Sequence, residues 1–169
     1  MVFTCDYRQA GLRHLDDAGH LEGSDRHLAA GYHYGFAAEC AFKTVLEQAG
    51  FRKFDGKRCG NPIWGHFGDG ANNIRATILV QSDRLLAAAP PSAEEEDETG
   101  ADNPKGLVVT KASGRLATLV VTLLALADDS DFMDGWHTDM RYAPDGEVEP
   151  AQCVTWRECA VRAVRTLLF

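Results

Sequence analysis

The sequence lacks the short motifs that identify most nucleotide-binding folds, serine hydrolases and zinc proteases. It contains no GxxxxGKS/T loop, no GxGxxG after a strand, no GxSxG and no HExxH. No two of its six histidines are spaced four residues apart, and its five cysteines form no C-x-x-C pair. One-helix zinc sites, zinc ribbons and disulfide frameworks are therefore disfavoured. We expect neither a metal nor a cofactor, and the alternative is a metal site assembled from distant parts of the chain.

Long apolar runs are also missing. The most apolar segment, residues 116–127, falls short of the roughly 18 residues that a membrane-spanning helix needs, so we interpret it as a buried helix. Residues 1–11 do not show the basic-then-apolar pattern of a secretory signal. We therefore expect a cytoplasmic protein.

Positive charge is scarce and local. The net charge is −8, of which residues 94–105 contribute −5 through six acids and one lysine, which leaves −3 for the rest of the chain. The body is therefore not a basic nucleic-acid platform, and any nucleic-acid contact must be local. The one basic cluster contains Arg52 and Lys53; it is either a phosphate contact or a solvated loop, and we favour the loop.

Apolar residues recur at helical spacing, whereas strand-like alternation is nearly absent. The predicted helices span residues 6–20, 24–49, 74–89, 107–128 and 150–169, with Ser24 or Asp25 as the expected N-cap of the second. Residues 90–106 hold no large apolar side chain, so they cannot offset the entropy lost on ordering. The sequence thus predicts one all-α domain over residues 1–169, an antiparallel bundle of four or five helices with a flexible acidic insertion at 90–106.

The predicted central helix, residues 24–49, carries an acid on its apolar stripe. At about 100° per residue, the stripe holds Leu28, Tyr32, Gly35, Phe42 and Leu46. Glu39 falls in the middle of this stripe, where a carboxylate is costly unless it has a partner. Lys43 follows one turn later in the favourable order, but we expect it to be exposed and therefore a weak partner.

The segment WHTDMRY, residues 136–142, is the strongest candidate site. Arg141 has a guanidinium that can bind a phosphate or carboxylate with two hydrogen bonds. His137 has the side chain suited to acid–base chemistry near neutral pH, and Asp139 could orient it. The alternative is that Arg141 neutralises the buried Glu39, and we slightly favour that structural role.

Several of these elements resemble the HEPN superfamily of small helical bundles. The resemblance rests on GYHYGFAAECAFKTVLEQAG, on the WGHF that follows, and on WHTDMRY ahead of an amphipathic last helix. The run from Glu39 to Lys43 and the pair Arg141–Tyr142 carry most of it. It implies a four- or five-helix bundle that usually dimerises. Members include metal-independent endoribonucleases of toxin–antitoxin or defence systems, and proteins that bind RNA or nucleotides or pair with a nucleotidyltransferase.

In the ribonuclease members, an arginine is followed after four to six residues by a histidine, near the start of the last long helix. The histidine then acts as acid or base, and the arginine stabilises the phosphate charge. Arg141 stands where the arginine would be, but no histidine occupies residues 146–148. The same spacing occurs earlier, at Arg13 to His20 and at Arg26 to His33.

Three hypotheses follow from the resemblance and this departure. The first is a non-classical HEPN-like bundle that dimerises and binds RNA, a nucleotide or a protein partner. The second is a metal-independent endoribonuclease with a displaced site, built from His137, Asp139 and Arg141 or from Arg26 and His33. The third is a purely structural interaction module. The further binding or structural candidates are Glu39, Lys43, Tyr142, Arg52 and Lys53.

Overall fold

The structure, a computed structural model, describes residues 6–50, 66–67, 74–88, 107–144 and 146–169. Within them the chain forms six α-helices and one 3₁₀ helix, and no strand. These are α1 (Tyr7–Glu22), α2 (His27–Gln48), α3 (Ile74–Val80), α4 (Ser82–Ala88), α5 (Leu107–Asp128), the 3₁₀ helix (Thr138–Tyr142) and α6 (Pro150–Leu167). The predicted all-α class is confirmed for this part of the chain. The expected acidic loop at 90–106 and the basic residues Arg52 and Lys53 lie outside the described residues.

Helices α1 and α2 form a tight hairpin, and its turn corrects the predicted cap. The side chain of Asp6 accepts the backbone N–H of Gln9 at 2.9 Å and so begins α1. Ser24 donates its hydroxyl back to the carbonyl of His20 at 3.0 Å, and Asp25 adopts a left-handed φ of 59°. Both predicted caps therefore belong to the turn, which leaves α2 to begin without a side-chain cap.

The third predicted helix is divided in two. At Gln81 the backbone N–H bonds to the carbonyl of Ile78 at 3.1 Å, a three-residue spacing in place of the four-residue spacing of an α-helix. The tighter turn separates α3 from α4, and Ile78 and Leu85 stay buried on either side of it. The described α-helices therefore number six, one more than the five that the sequence predicts.

Helix α2 is the centre of the core, and its small residues admit two indole rings. A Cβ added to Gly35 would lie 1.8 Å from the ring of Trp136, and one added to Gly31 would lie 2.6 Å from Trp156 of α6. The indole N–H of Trp136 donates to the carbonyl of Gly31 at 2.9 Å. Trp136 is thereby held against α2, and the 3₁₀ helix that follows it is held there as well.

Two polar networks fix the helices around α2. Glu22 on α1 accepts the Tyr34 hydroxyl at 2.6 Å and the Arg157 guanidinium of α6 at 2.8 Å. Burial, with Glu22 as a second cause, raises the pKa of Tyr34. Arg75 on α3 donates to the carbonyls of Ala127 at 3.1 Å and Phe132 at 3.0 Å, and to that of Asp129. The guanidinium of Arg75 thus donates hydrogen bonds to carbonyls at and after the end of α5, where the helix itself supplies no donor.

The described helices include none that is both long and apolar enough to cross a membrane. Three cysteines in the described part, Cys40, Cys153 and Cys159, are buried. Burial raises the pKa of the Cys153 thiol to about 11, so this thiol stays protonated at neutral pH. These cysteines pack as small hydrophobes, as expected for Cys40.

Candidate functional site

The carboxylate of Glu39 is buried, as the apolar stripe predicts, but its partners differ from the expected one. Glu39 is 2% exposed, and its Oε1 accepts a hydrogen bond from the ammonium of Lys43 at 2.5 Å. The Nδ1 atom of His66 lies 2.8 Å and 2.9 Å from its two oxygens. Since Arg141 is exposed at the surface, the expected pairing of Glu39 with Arg141 is wrong.

The expectation that Lys43 is exposed is also wrong. Its side chain is 8% exposed, and its ammonium lies 6.0 Å from the ring centre of Tyr7 on α1. The reason is that α2 is buried over most of its circumference beyond Gly35, so the turn carrying Lys43 is covered by α1. Sequence reasoning missed His66 altogether. Two features of the sequence could have indicated it: Glu39 needs a partner, and the WGHF that follows α2 contains His66.

His137 begins the 3₁₀ helix. Its Nδ1 accepts the backbone N–H of Asp139 at 3.1 Å and lies 3.4 Å from a carboxylate oxygen of that residue. As an acceptor, Nδ1 carries no proton, so the neutral ring carries its proton on Nε2. His137 and Asp139 are thus brought together as predicted, and both side chains reach solvent.

Arg141 lies at the end of the same 3₁₀ helix and is held by two tyrosines. Its guanidinium carbon is 4.7 Å from the ring centre of Tyr142, which is 74% exposed. Hydrogen bonding with Tyr32 on α2, followed by the electrostatic effect of Tyr142, raises the pKa of Arg141. We call this group of Tyr32, Arg141 and Tyr142 the arginine–tyrosine surface. It combines an exposed cation with an exposed aromatic ring.

Tyr32 also connects this surface to the second candidate pair of the sequence. Its ring centre lies 5.9 Å from that of His33 and 4.8 Å from that of Phe36. Arg26 is exposed at the N-cap of α2, two turns before His33. The structure does not record a contact between Arg26 and His33 among the described residues, and His33 instead contacts α1.

On α1, the residue that His33 contacts is another histidine, His14. The Nδ1 atoms of His14 and His33 are 3.2 Å apart, and a carboxylate oxygen of Asp17 lies 3.9 Å from Nδ1 of His33. Burial, and then the neighbouring His33, lower the pKa of His14, so this imidazole favours its neutral form. Spacing along one helix could not reveal this group, because its members lie on two helices.

The arrangement therefore offers three separate chemical groups. The first is the buried carboxylate of Glu39 with its two partners. The second is the exposed guanidinium of Arg141 beside the ring of Tyr142. The third is the group of His14, Asp17 and His33, whose possible ligand atoms lie within 4.8 Å of one another. In comparisons with protein-family models, curated proteins and solved structures, nothing matches this chain.

Proposed function

We propose that this chain is a HEPN-like antiparallel helical bundle without the classical catalytic pair, and that it binds RNA or a nucleotide at the arginine–tyrosine surface. The resemblance of its sequence to the HEPN superfamily supports a role in a cytoplasmic toxin–antitoxin or defence system, which is part of the proposal. The observation that carries the proposal is the exposed guanidinium of Arg141 lying 4.7 Å from the centre of an exposed tyrosine ring.

Two physical features of this surface suit a nucleotide. A guanidinium presents a rigid fork of donors that matches a phosphate, and the guanidinium of Arg141 is exposed to solvent. An exposed tyrosine ring can stack on a base, a contact that contributes about 1–3 kcal/mol per base. Because the chain is acidic overall, the contact must be short, which favours a mononucleotide or a few unpaired nucleotides over a duplex.

Arg141→Ala and Tyr142→Ala are each expected to weaken binding of a short fluorescent single-stranded RNA by roughly tenfold, measured by anisotropy at low salt. Neither change should alter the free energy of unfolding by more than about 0.5 kcal/mol, because both side chains are exposed. Arg165→Ala on α6 is the matched control, since it removes an exposed arginine elsewhere.

Equal losses for Arg141→Ala and Arg165→Ala would mean that binding is only nonspecific attraction between charges. No binding of RNA or of a mononucleotide by the unaltered protein would overturn the proposal. It would favour a partner protein, such as a nucleotidyltransferase, or a purely structural interaction module.

A metal-independent endoribonuclease with a displaced site is the second candidate. The contact between His137 and Asp139 favours it, since both lie beside Arg141 on one 3₁₀ helix. In this candidate His137 would act as acid or base at the reacting phosphate, donating a proton to the leaving oxygen from its protonated form, while Arg141 stabilises the phosphate charge. The test is incubation with total RNA in EDTA, where intact RNA at large protein excess rejects this candidate. If cleavage occurs, His137→Ala and His33→Ala show which site produces it.

Dimerisation is part of the proposal and is supported by exposed apolar side chains. Val80 is 81% exposed at the end of α3, Leu86 on α4 is 41% exposed and Val121 on α5 is 57% exposed. Exposed apolar side chains on neighbouring helices are typical of association surfaces when they are contiguous. Light scattering should give a particle of twice the 18.5 kDa chain mass. A particle of single-chain mass at micromolar concentration would contradict a homodimer.

A further inference from the structure

We propose that α1 and α2 together bind a divalent transition-metal ion, zinc foremost, through His14, Asp17 and His33. This inference goes beyond the proposed RNA or nucleotide binding and does not depend on it. It also departs from the expectation of a metal-free protein, which rested on histidine spacing within single helices.

The distance between the two imidazoles is the first argument. Zinc binds a histidine nitrogen at about 2.0–2.1 Å in tetrahedral geometry, which places two nitrogen ligands about 3.3–3.4 Å apart. The Nδ1 atoms of His14 and His33 are 3.2 Å apart. An ion could therefore replace the single shared proton between them without a movement of either helix.

Asp17 supplies the third ligand from the same helix face as His14. A spacing of three residues on a helix makes the two side chains neighbours. A carboxylate oxygen of Asp17 lies 3.9 Å from Nδ1 of His33, and all three ligand atoms lie within 4.8 Å of one another. The Asp17 side chain is 48% exposed, so a small rotation brings its oxygen to the tetrahedral distance.

The chemistry of the set selects the kind of ion. Imidazole suits zinc, copper and nickel, whereas magnesium and calcium prefer sites made of oxygen ligands. Two histidines and one carboxylate form a three-ligand set that leaves a fourth position for water. The His33 side chain is 28% exposed, so this fourth position faces solvent.

Neighbouring rings hold the two imidazoles in place. The ring centre of His14 lies 5.5 Å from that of Phe36, and the ring centre of His33 lies 5.9 Å from that of Tyr32. All of these side chains stand on α1 and α2, which pack along their length. Gly11 permits this close packing, since a Cβ there would lie 3.2 Å from the side chain of Cys40. Ligands held by packed helices need less ordering when an ion binds.

The experiment is calorimetric titration of EDTA-treated, dialysed protein with zinc chloride, and separately with magnesium chloride. We expect one zinc ion per chain, no competition by magnesium, and a rise in melting temperature with zinc. Cobalt(II) in place of zinc should give the visible absorption of a four-coordinate ion. His14→Ala or His33→Ala should lower zinc affinity by more than the roughly 10- to 100-fold that loss of a supporting residue causes.

The matched control is His20→Ala. His20 and Asp16 form a similar pair on α1, 3.7 Å apart and exposed, but in the described part of the chain they belong to no group of three possible metal ligands. Zinc affinity should therefore be unchanged in this variant. Equal losses for His20→Ala and His33→Ala, or no zinc binding by the unaltered protein at micromolar concentration, would overturn the proposal and leave the histidine pair as a structural hydrogen bond.

Asp17→Asn keeps the test decisive if a histidine variant fails to fold, because Asp17 is half exposed. We expect weaker zinc binding and a changed cobalt spectrum in this variant, with circular dichroism unaltered. An unchanged affinity and spectrum would contradict the proposed ligand set. RNA is absent from every arm, so these outcomes are independent of those for the arginine–tyrosine surface.

Discussion

Glu39→Gln is expected to lower the free energy of unfolding by roughly 3–5 kcal/mol, measured by urea denaturation. The substitution preserves the size of the side chain and removes its charge. The ammonium of Lys43, whose side chain is 8% exposed, then remains buried without a counter-charge. His66 also loses the carboxylate that lies 2.8 Å from its Nδ1. Removing one member of a buried ion pair is destabilising because the other stays desolvated.

A double variant separates the ion pair from general damage to the core. Glu39→Gln combined with Lys43→Met removes both charges and should recover much of the lost stability, because Met can pack in the space of the lysine stem. Glu47→Gln on the same helix is exposed and should change stability by less than about 0.5 kcal/mol. Additive losses in the double variant would contradict a coupled pair of Glu39 and Lys43.

Gly35→Ala is expected to destabilise the protein by about 1–3 kcal/mol or more, although alanine is the better helix former. The added Cβ would lie 1.8 Å from Cε2 of Trp136, so one of the two must move. Trp136 is 2% exposed, and its indole N–H bonds to the carbonyl of Gly31. Moving this ring would also displace the 3₁₀ helix, so RNA binding should weaken together with stability.

Gly19→Ala is the same substitution at another helical glycine, and there we expect it to stabilise the protein. Gly19 lies within α1, and a Cβ added there would have no neighbour within 4 Å. Because the new methyl group meets no neighbour, only the higher helix propensity of alanine matters, and the free energy of unfolding should rise by roughly 0.5–1 kcal/mol. Thermal melts of the two variants side by side make the comparison. A stabilising effect of Gly35→Ala would be incompatible with the packing of Trp136 against α2.

The helices were largely predictable because their signals are local. Apolar spacing and helix-terminating residues act over a few turns, so the positions of α1, α2, α5 and α6 follow from neighbouring residues. The errors arose at turns between helices, where the backbone or side-chain hydrogen bonding departs from the regular helical pattern. Ser24 bonds back to α1 instead of capping α2, and the helical hydrogen bonding changes at Gln81 within a segment of uniform apolar pattern.

The candidate sites were predictable only in part. The approach of Asp139 to His137, 3.4 Å from a carboxylate oxygen to Nδ1, is a contact between near neighbours in the sequence, whereas the orienting role of Asp139 stays a prediction. Arg141 lies near enough to Tyr32 of the distant helix α2 for this tyrosine to raise its pKa, and no spacing in the sequence indicates that approach. The approach of His14 to His33 likewise depends on how α1 is rotated against α2. Helix rotation is set by packing of the whole core, which a local pattern does not contain.

Glu39 shows most clearly what the sequence determines and what only the tertiary structure determines. Its place on an apolar stripe is a property of helical periodicity, so the sequence by itself established that a carboxylate is buried and needs a partner. Only the tertiary structure decided that Lys43 is buried with Glu39, that His66 is the second partner, and that Arg141 faces solvent. The physical reason is that burial depends on periodicity, whereas pairing requires atoms within about 3 Å of each other, a distance fixed by packing and rotamers.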